Sequence, residues 1–208
     1  MNRPDLVIAT GNAHKVVEMR DQLSPWFNVV GLPEGYDAPV EDGETFAANA
    51  LIKAQTAASR LGCLCLADDS GICVDHLNGA PGIYSARYAG EACDDEANND
   101  RLLSEMSHVP DDQRQARFVC ALSLASPTGE LANFEATFEG KVGYERRGQD
   151  GFGYDPIFVL PEGLTSAELN PSEKQRRSHR GQALIKLIES LKKSDLYTQC
   201  IAASNDVY

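Results

Sequence analysis

Residues 5–15 read Asp-Leu-Val-Ile-Ala-Thr-Gly-Asn-Ala-His-Lys, and this stretch does most to decide the fold. The apolar run up to Ala9 is typical of a buried strand, and Thr10-Gly11-Asn12 interrupts it. Apolar side chains then recur at helical spacing, at Val16, Met19, Leu23 and Trp26. A strand, a glycine turn and a helix in this order point backbone N–H groups at a site where an anion can bind.

Helices and strands continue to alternate along the rest of the chain. A second helix is predicted after Thr45, an acidic, solvated helix within 91–112, and a last helix at about 181–193. Residues 115–125 and the half-exposed segment around Phe134, Ala136 and Phe138 alternate as strands, and the turn between them makes a β-hairpin. This order predicts an α/β fold with a mixed sheet. Residues 194–208 show weak periodicity, and we expect a mobile tail of unknown role.

The composition narrows the classes of partner. The chain has 208 residues, a formal net charge of -12 and a pI of about 4.7, which argues against nucleic-acid binding and adhesion to anionic membranes. Residues 170–193 are the exception, with seven basic and two acidic side chains, so this segment is either a solvated helix end or a site for a small polyanion. No apolar stretch is long enough to span a membrane, and no secretion signal is found. Six cysteines without a CxxC pair indicate free thiols and a cytoplasmic protein.

Acidic residues between two short apolar runs are the main candidates for chemistry. Asp68-Asp69-Ser70-Gly71 separates Leu64–Ala67 from Ile72–Val74, and Glu41 lies in an acidic loop. Asp68, Asp69 and Glu41 are candidate ligands of Mg²⁺, which binds few carboxylates and bridges to phosphates. Adjacent aspartates on an extended segment point to opposite sides. The alternative is that the two aspartates only shape a turn with the serine and glycine.

Other patterns are weaker. Gly151-Phe-Gly-Tyr-Asp-Pro156 lacks the third glycine of a dinucleotide fingerprint and precedes a strand, so a Rossmann site is rejected. His179-Arg180 is either a surface pair or a donor to a base carbonyl or a phosphate. A Ser–His–Asp triad that includes Ser70 is disfavoured, because the sequence contains no nucleophile elbow. Lys15 in the first helical turn adds a point charge to the predicted anion site. Together these groups suggest a magnesium nucleotide whose base is held by aromatic and polar side chains.

Five motifs in one order carry a resemblance to a known family. They are Thr10-Gly-Asn-x-x-Lys15-x-x-Glu18, Ala67-Asp-Asp-Ser-Gly71, Gly79-Ala-Pro-Gly-Ile-Tyr-Ser-Ala-Arg-Tyr-Ala-Gly90, Gly151-Phe-Gly-Tyr-Asp-Pro156 and Ser178-His-Arg-Gly181. From about residue 5 to 193 the chain resembles the inosine/xanthosine triphosphate pyrophosphatases. The resemblance implies a single domain over 1–193 with two lobes around a long mixed sheet and an active site in the cleft between them. It also implies a homodimer and Mg²⁺-dependent hydrolysis of ITP, dITP and XTP to the monophosphate and pyrophosphate.

The resemblance also assigns roles to individual residues. It places the triphosphate at the turn Thr10, Gly11, Asn12, Ala13, His14 and Lys15, with Ser70 as a further substrate contact. Asp69 matches the general base, and Asp68, Asp69 and Glu41 match the metal-associated acids, although Asp42 is an alternative to Glu41. The base would be bound by Phe152, Gly153, Tyr154 and Asp155, and the C-terminal contacts to phosphate and base would be Lys174, His179 and Arg180. Two other functions stay open, a nucleotide sensor without turnover and a related pyrophosphatase for modified pyrimidines.

Overall fold

The computed structural model describes residues 3–205, in which six strands form one mixed sheet. The strands are β1 (Asp5–Ile8), β2 (Asn28–Gly31), β3 (Leu64–Val74), β4 (Gln115–Ser126), β5 (Gly129–Val142) and β6 (Phe158–Val159). Their order in the sheet is β2-β1-β3-β4-β5-β6. β1 is parallel to both β2 and β3, whereas β5 and β6 are antiparallel. The predicted α/β fold with a mixed sheet is therefore confirmed.

Six α-helices within residues 3–205 accompany the sheet. They are α1 (Ala13–Leu23), α2 (Phe46–Leu61), α3 (Asp95–Glu105), α4 (Pro171–Arg177), α5 (His179–Lys193) and α6 (Leu196–Asn205). α2 begins where the sequence predicts, because the Thr45 side chain accepts a hydrogen bond from the Ala48 N–H at 3.1 Å. It ends at Gly62, whose φ of 67° is the left-handed conformation that glycine adopts at little cost. The predicted hairpin is also present, as β4 and β5 are neighbours joined by two residues.

The chain divides into two compact units, each with its own core. The first comprises the described part of Met1–Asp69, Cys120–Glu135 and the described part of Ala183–Tyr208; the second comprises Ser70–Val119 and Ala136–Gln182. Small side chains fill one core of the first unit, chiefly Val7, Ala54, Ala57, Cys65 and Ala125. Larger side chains fill the core of the second unit, chiefly Ile72, Leu102, Phe118, Phe158 and Leu169.

Two local predictions are wrong. β3 runs without a break from Leu64 to Val74, so Asp68 and Asp69 lie inside a strand rather than at its end or in a turn. The segment after residue 194 is expected to be a mobile tail but is helical and packed: α6 covers 196–205, and Leu196 and Cys200 are buried. Its Tyr197 ring packs edge-on against Trp26 and Phe27, with centroids 5.3 Å and 5.9 Å away. Residues 206–208 of the predicted tail lie outside the described residues.

Two sequence-based expectations concern membrane-spanning segments and the cysteine thiols. None of the helices within 3–205 combines the length and apolar character that a membrane span requires. All six cysteines are free thiols, of which Cys65, Cys120 and Cys200 are buried and Cys93 is exposed.

Candidate active site

The carboxylate of Asp68 is fully buried and is paired with Lys15. Its Oδ2 lies 2.9 Å from Lys15 Nζ, and the Asp68 side chain has no exposed surface. The parallel register explains how they meet, since Ile8 at the end of β1 is aligned with Leu66 in β3. Lys15 lies in the first turn of α1, which follows β1 directly. Ligands of parallel sheets bind at the carboxyl ends of strands, and the pair lies beside the carboxyl end of β1, where a site is expected.

Asp69 is held by a different helix. Its Oδ1 lies 3.0 Å from Lys53 Nζ, and its Oδ2 accepts a hydrogen bond from Asn49 Nδ2 at 3.3 Å. Asn49 and Lys53 are four residues apart on α2 and therefore share one face. Lys53 Nζ also lies 2.8 Å from Glu41 Oε2, so one ammonium bridges two carboxylates. Of the two acids proposed for this loop, Glu41 is half-buried beside Lys53, whereas the Asp42 side chain is exposed.

Burial and charge shift the pKa values in this cluster. Burial raises the pKa of Asp69 above its ordinary value, and Lys53 only partly opposes that shift. Burial by itself would lower the pKa of Lys53, but the neighbouring Asp69, Asp68 and Glu41 carboxylates outweigh it and the pKa is raised. Lys53 is therefore charged at neutral pH, and Asp69 is a stronger base than an exposed aspartate.

The glycine turn before α1 is exposed and capped. Asn12 Oδ1 accepts hydrogen bonds from the N–H groups of His14 and Lys15 at 2.9 Å and 3.3 Å, and Thr10 Oγ1 accepts from Asn12 N–H at 3.2 Å. Gly11, Ala13 and His14 are exposed. A Cβ at Gly11 would meet no atom within 4 Å. The surrounding protein therefore leaves open space at the glycine, which a ligand can approach closely.

A cluster of ligands for a metal ion is not preassembled. Within residues 3–205 no three His, Cys, Asp or Glu side chains are grouped so that they could hold a metal ion. Mg²⁺ is commonly bound by one or two carboxylates together with substrate phosphates and water. Asp68, Asp69 and Glu41 are oxygen donors beside lysines, and one or two of them together with substrate phosphates would fit that mode of binding.

The loop at 151–155 is fixed by the buried carboxylate of Asp155. Asp155 Oδ2 accepts from Phe152 N–H at 2.9 Å and lies 2.5 Å from Lys174 Nζ, while Oδ1 accepts from Ser166 Oγ at 2.7 Å. Gly151 is needed here, because a Cβ would lie 2.3 Å from Asp155 Oδ2 and the φ of 87° is left-handed. Asp155 therefore shapes the loop by its contacts with the protein.

The two aromatic residues of this loop differ in exposure. Phe152 is half-buried, and two cations lie near its ring, Lys174 Nζ at 5.0 Å and the Arg180 guanidinium at 5.6 Å from the centroid. Tyr154 is 5 % exposed, packs in the core of the second unit and donates its hydroxyl to the Ser85 carbonyl at 2.8 Å. Phe152 is therefore the better placed of the two for stacking on a base.

His179 and Arg180 begin α5 and are both buried. Arg180 Nη2 donates to Ser70 Oγ at 3.1 Å, and the His179 ring stacks on Phe118 with centroids 4.8 Å apart. The close junction between α4 and α5 depends on Gly181, since a Cβ there would lie 1.7 Å from the Gln175 carbonyl oxygen. The structure thus brings Ser70, Phe152, Asp155, Lys174 and Arg180 into one connected group.

Sequence reasoning missed Asn49 and Lys53. Both residues lie on α2 among the alanines of its apolar stripe, at Ala50, Ala54 and Ala57. A polar pair at i and i+4 on a face that packs inward is the signal that would have found them.

The chain matches a known protein family over most of its length. The model of the Ham1 family matches residues 6–190. The chain belongs to the Ham1 family. A curated relative named dITP/XTP pyrophosphatase, from Exiguobacterium sibiricum, is 50% identical over 190 residues, which cover 89% of this chain and 96% of the relative.

Solved Ham1 structures share the fold. The Staphylococcus aureus Ham1 protein has a TM-score of 0.80 and 39% identity, covering 91% of this chain and 98% of that one. A HAM1 protein from Coxiella burnetii has a TM-score of 0.83 and 37% identity, covering 92% and 100%.

Proposed function

We propose that this chain hydrolyses the non-standard purine nucleoside triphosphates ITP, dITP and XTP to the monophosphate and pyrophosphate, which cleanses the nucleotide pool. The observation that carries the proposal is the pair Asp68 and Asp69 on β3, each neutralised by a lysine from a different helix. The reaction is proposed because relatives of the same family are named dITP/XTP pyrophosphatase.

The triphosphate is assigned to the turn before α1. Lys15 supplies a positive charge, and Thr10, Gly11, Asn12, Ala13 and His14 supply backbone and side-chain donors. The open space at Gly11 supports this assignment, because it leaves room for phosphate oxygens beside the backbone. Lys15 and Lys53 are paired with carboxylates in the structure, so a bound triphosphate would compete with Asp68 and Asp69 for their ammonium groups.

Mg²⁺ is the proposed cofactor, held by Asp69, Asp68 and Glu41. When bound it would neutralise charge on the departing pyrophosphate. Glu41 is preferred to Asp42, because Glu41 already shares Lys53 with Asp69.

Asp69 is the proposed general base. Water attacks the α-phosphorus, and Asp69 Oδ accepts the proton that this water loses while the bond to the leaving pyrophosphate breaks. The raised pKa of Asp69 supports the role, because a carboxylate that holds a proton more tightly is a better acceptor. Asn49 and Lys53 hold both carboxylate oxygens and so orient the group.

The purine base is assigned to Phe152, Gly153, Tyr154 and Asp155, with Lys174, His179, Arg180 and Ser70. Hypoxanthine and xanthine carry a carbonyl acceptor at position 6, where adenine carries an amino group. A donor such as Arg180 or His179 then favours the first two and leaves adenine mispaired, a form of selection that reaches several orders of magnitude. Within the loop, Phe152 supplies stacking, while Tyr154 and Asp155 hold its shape.

A substrate panel tests the function. With Mg²⁺, the protein is expected to release pyrophosphate from ITP, dITP and XTP far faster than from ATP. Release of orthophosphate alone would contradict the reaction. Tight binding of ITP without any product would instead identify a sensor, and preference for a modified pyrimidine triphosphate would identify the related pyrophosphatase.

Three coarser features remain predictions. The resemblance implies a homodimer and a single catalytic domain over 1–193, and the free cysteines indicate a cytoplasmic location. The mass of the purified protein in solution, against 22.6 kDa for one chain, tests the first of these.

A further inference from the structure

Helix α3 is in direct contact with the loop assigned to the purine base. Asp95 Oδ2 accepts a hydrogen bond from Gly153 N–H at 2.7 Å, and Asn99 Nδ2 donates to the Gly153 carbonyl at 2.9 Å. Both polar groups of one peptide position are therefore held by side chains of one helix. The charge of the 91–112 segment by itself predicts only a solvated surface, so this contact gives the helix an unexpected role.

These contacts explain why position 99 carries an amide side chain. Its side chain is buried, at 1 % exposure, and Nδ2 also donates to the Asp95 carbonyl at 2.8 Å. Its Oδ1 has no donor within the described part of the chain. A buried acceptor without a donor costs about 1–3 kcal/mol, which an apolar side chain of similar size would avoid. The amide at position 99 is thus best accounted for by the two carbonyls to which it donates.

A second attachment joins α3 to the segment before the loop. Arg146 Nη2 lies 2.9 Å from Asp100 Oδ1 and donates to the Glu96 carbonyl at 2.8 Å. Asp100 is exposed and Arg146 is half-buried, so this ion pair contributes little to stability. It nevertheless attaches α3 at residues 96 and 100, each of which directly follows a residue that contacts Gly153.

We propose that Asn99 and Asp95 are positioning residues that fix Gly153 and thereby set the Phe152 ring for the purine base. The proposal rests on the proposed function, since it takes the 151–155 loop as the base site. Asp155 holds Phe152 N–H and the Ser85 carbonyl holds the Tyr154 hydroxyl, so Gly153 is the intervening point at which the loop could shift. Loss of the α3 contacts would allow Gly153 to move, and the Phe152 ring would no longer have one fixed position.

Asn98 supplies a matched control for Asn99. It is equally buried, at 1 %, and makes two hydrogen bonds, but to the 86–89 segment: Nδ2 donates to the Ala86 carbonyl and Oδ1 accepts from Ala89 N–H. Asn99→Ala and Asn98→Ala should lower the melting temperature similarly. Only Asn99→Ala should raise the KM for ITP, by about tenfold with kcat within about threefold.

Asp95 gives an independent pair of variants. Asp95→Ala removes the acceptor of Gly153 N–H and should raise the KM for ITP. Asp95→Asn keeps an acceptor oxygen, so its KM for ITP should stay close to that of the wild-type protein. This pair decides the question if Asn99→Ala does not fold, because Asp95 is exposed and its replacement is expected to leave the fold intact. The proposal is overturned if the KM is unchanged in Asn99→Ala and Asp95→Ala, or if Asn98→Ala changes it equally.

Calorimetric binding of inosine monophosphate separates this proposal from the proposed function. Its Kd should rise by about tenfold in Asn99→Ala and stay unchanged in Asn98→Ala, whatever the rate of hydrolysis. A wild-type protein that releases no pyrophosphate but shows this difference would contradict the proposed reaction and support the positioning role. Equal Kd values in the two variants would overturn the positioning role.

Discussion

Asp68 is a charged group that the fold can hold only beside a cation. Its side chain is completely buried, and an unpaired carboxylate in that environment would cost several kcal/mol. Lys15 reaches it from α1, and the same ammonium is assigned to the triphosphate. Lys15 therefore has a structural role and, under the proposed function, a second role in binding phosphate, and a double-variant cycle can separate the two.

The first prediction concerns this pair. Lys15→Met leaves the Asp68 carboxylate buried without its partner and should destabilise the protein by about 3 kcal/mol. Lys15→Met combined with Asp68→Asn removes the charge as well and should recover most of that stability. Turnover of ITP should be low in both, because the cation for the phosphates is absent. Chemical denaturation and pyrophosphate release measure the two effects, and recovery of turnover in the double variant would show that Lys15 is only structural.

The second prediction concerns Asp69. Asp69→Asn preserves the shape of the side chain but removes its ability to accept a proton, so kcat should fall by about 10²–10⁴-fold. Binding of ITP, measured by calorimetry, should change little, because Lys15 and the base loop are intact. The control is Asp75→Asn, an exposed carboxylate paired with Arg117, which should leave kcat unchanged. An unchanged kcat in Asp69→Asn would remove this residue from the role of general base.

Local sequence pattern predicts some of these residues and hides others. Lys15 and Asn12 follow a strand and a glycine, which is a readable signal. Lys53 gives a weaker sequence signal, because its importance depends on Asp69 and Glu41, which are 16 and 12 residues away in sequence. The partners of Gly153 on α3 are 54 and 58 residues away and have no local signature.

At the scale of elements, α6 is held by aromatic packing. Tyr197 lies against Trp26 and Phe27 and donates its hydroxyl to the Trp26 carbonyl at 3.1 Å. Edge-to-face aromatic pairs add about 0.5–1.5 kcal/mol beyond the area they bury. The helix is therefore expected to be a stable part of the first unit.

The third prediction tests this docking. Tyr197→Ala should destabilise the protein by about 2 kcal/mol, since it removes a half-buried ring and a hydrogen bond. Trp26 is the only tryptophan, so its fluorescence emission should shift to longer wavelength as water reaches it. Tyr84→Ala serves as the control, because Tyr84 is 56% exposed and should change neither quantity. An emission spectrum that Tyr197→Ala leaves unchanged would mean that α6 does not cover Trp26.

The elements predicted well are those with strong periodicity. β1, α2, the β4–β5 hairpin and α5 have apolar residues at clear strand or helix spacing, and all are present. β2 was not predicted, because its four residues include an asparagine and a glycine. The sequence pattern divides β3 into two short runs at Asp68-Asp69, because aspartate is unfavourable in strands. Only the tertiary pairing of these carboxylates with lysines compensates for that cost.

At the scale of the whole molecule, the charge distribution limits the ligand. The 170–193 segment carries a net charge of +5 and the rest of the chain -17. Yet several cations of this segment are already engaged: Lys174 with Asp155, Arg177 with Glu162, Lys193 with Glu189 and Lys186 with the Glu135 carbonyl. A basic sequence segment is therefore not an open basic face, and the molecule presents a mainly acidic surface to a polymer.

The fourth prediction follows from this surface. Inorganic tripolyphosphate should inhibit ITP hydrolysis competitively, because it offers the phosphates that Lys15 binds and is small enough to avoid the acidic surface. A short DNA duplex should not inhibit even at about 50 mM salt, where binding to phosphate backbones is strongest. Steady-state rates of pyrophosphate release measure both, with the magnesium concentration held in excess of all phosphates. Inhibition by the duplex that weakens as salt is added would show an open basic face, and would make the charge of the 170–193 segment a polymer site.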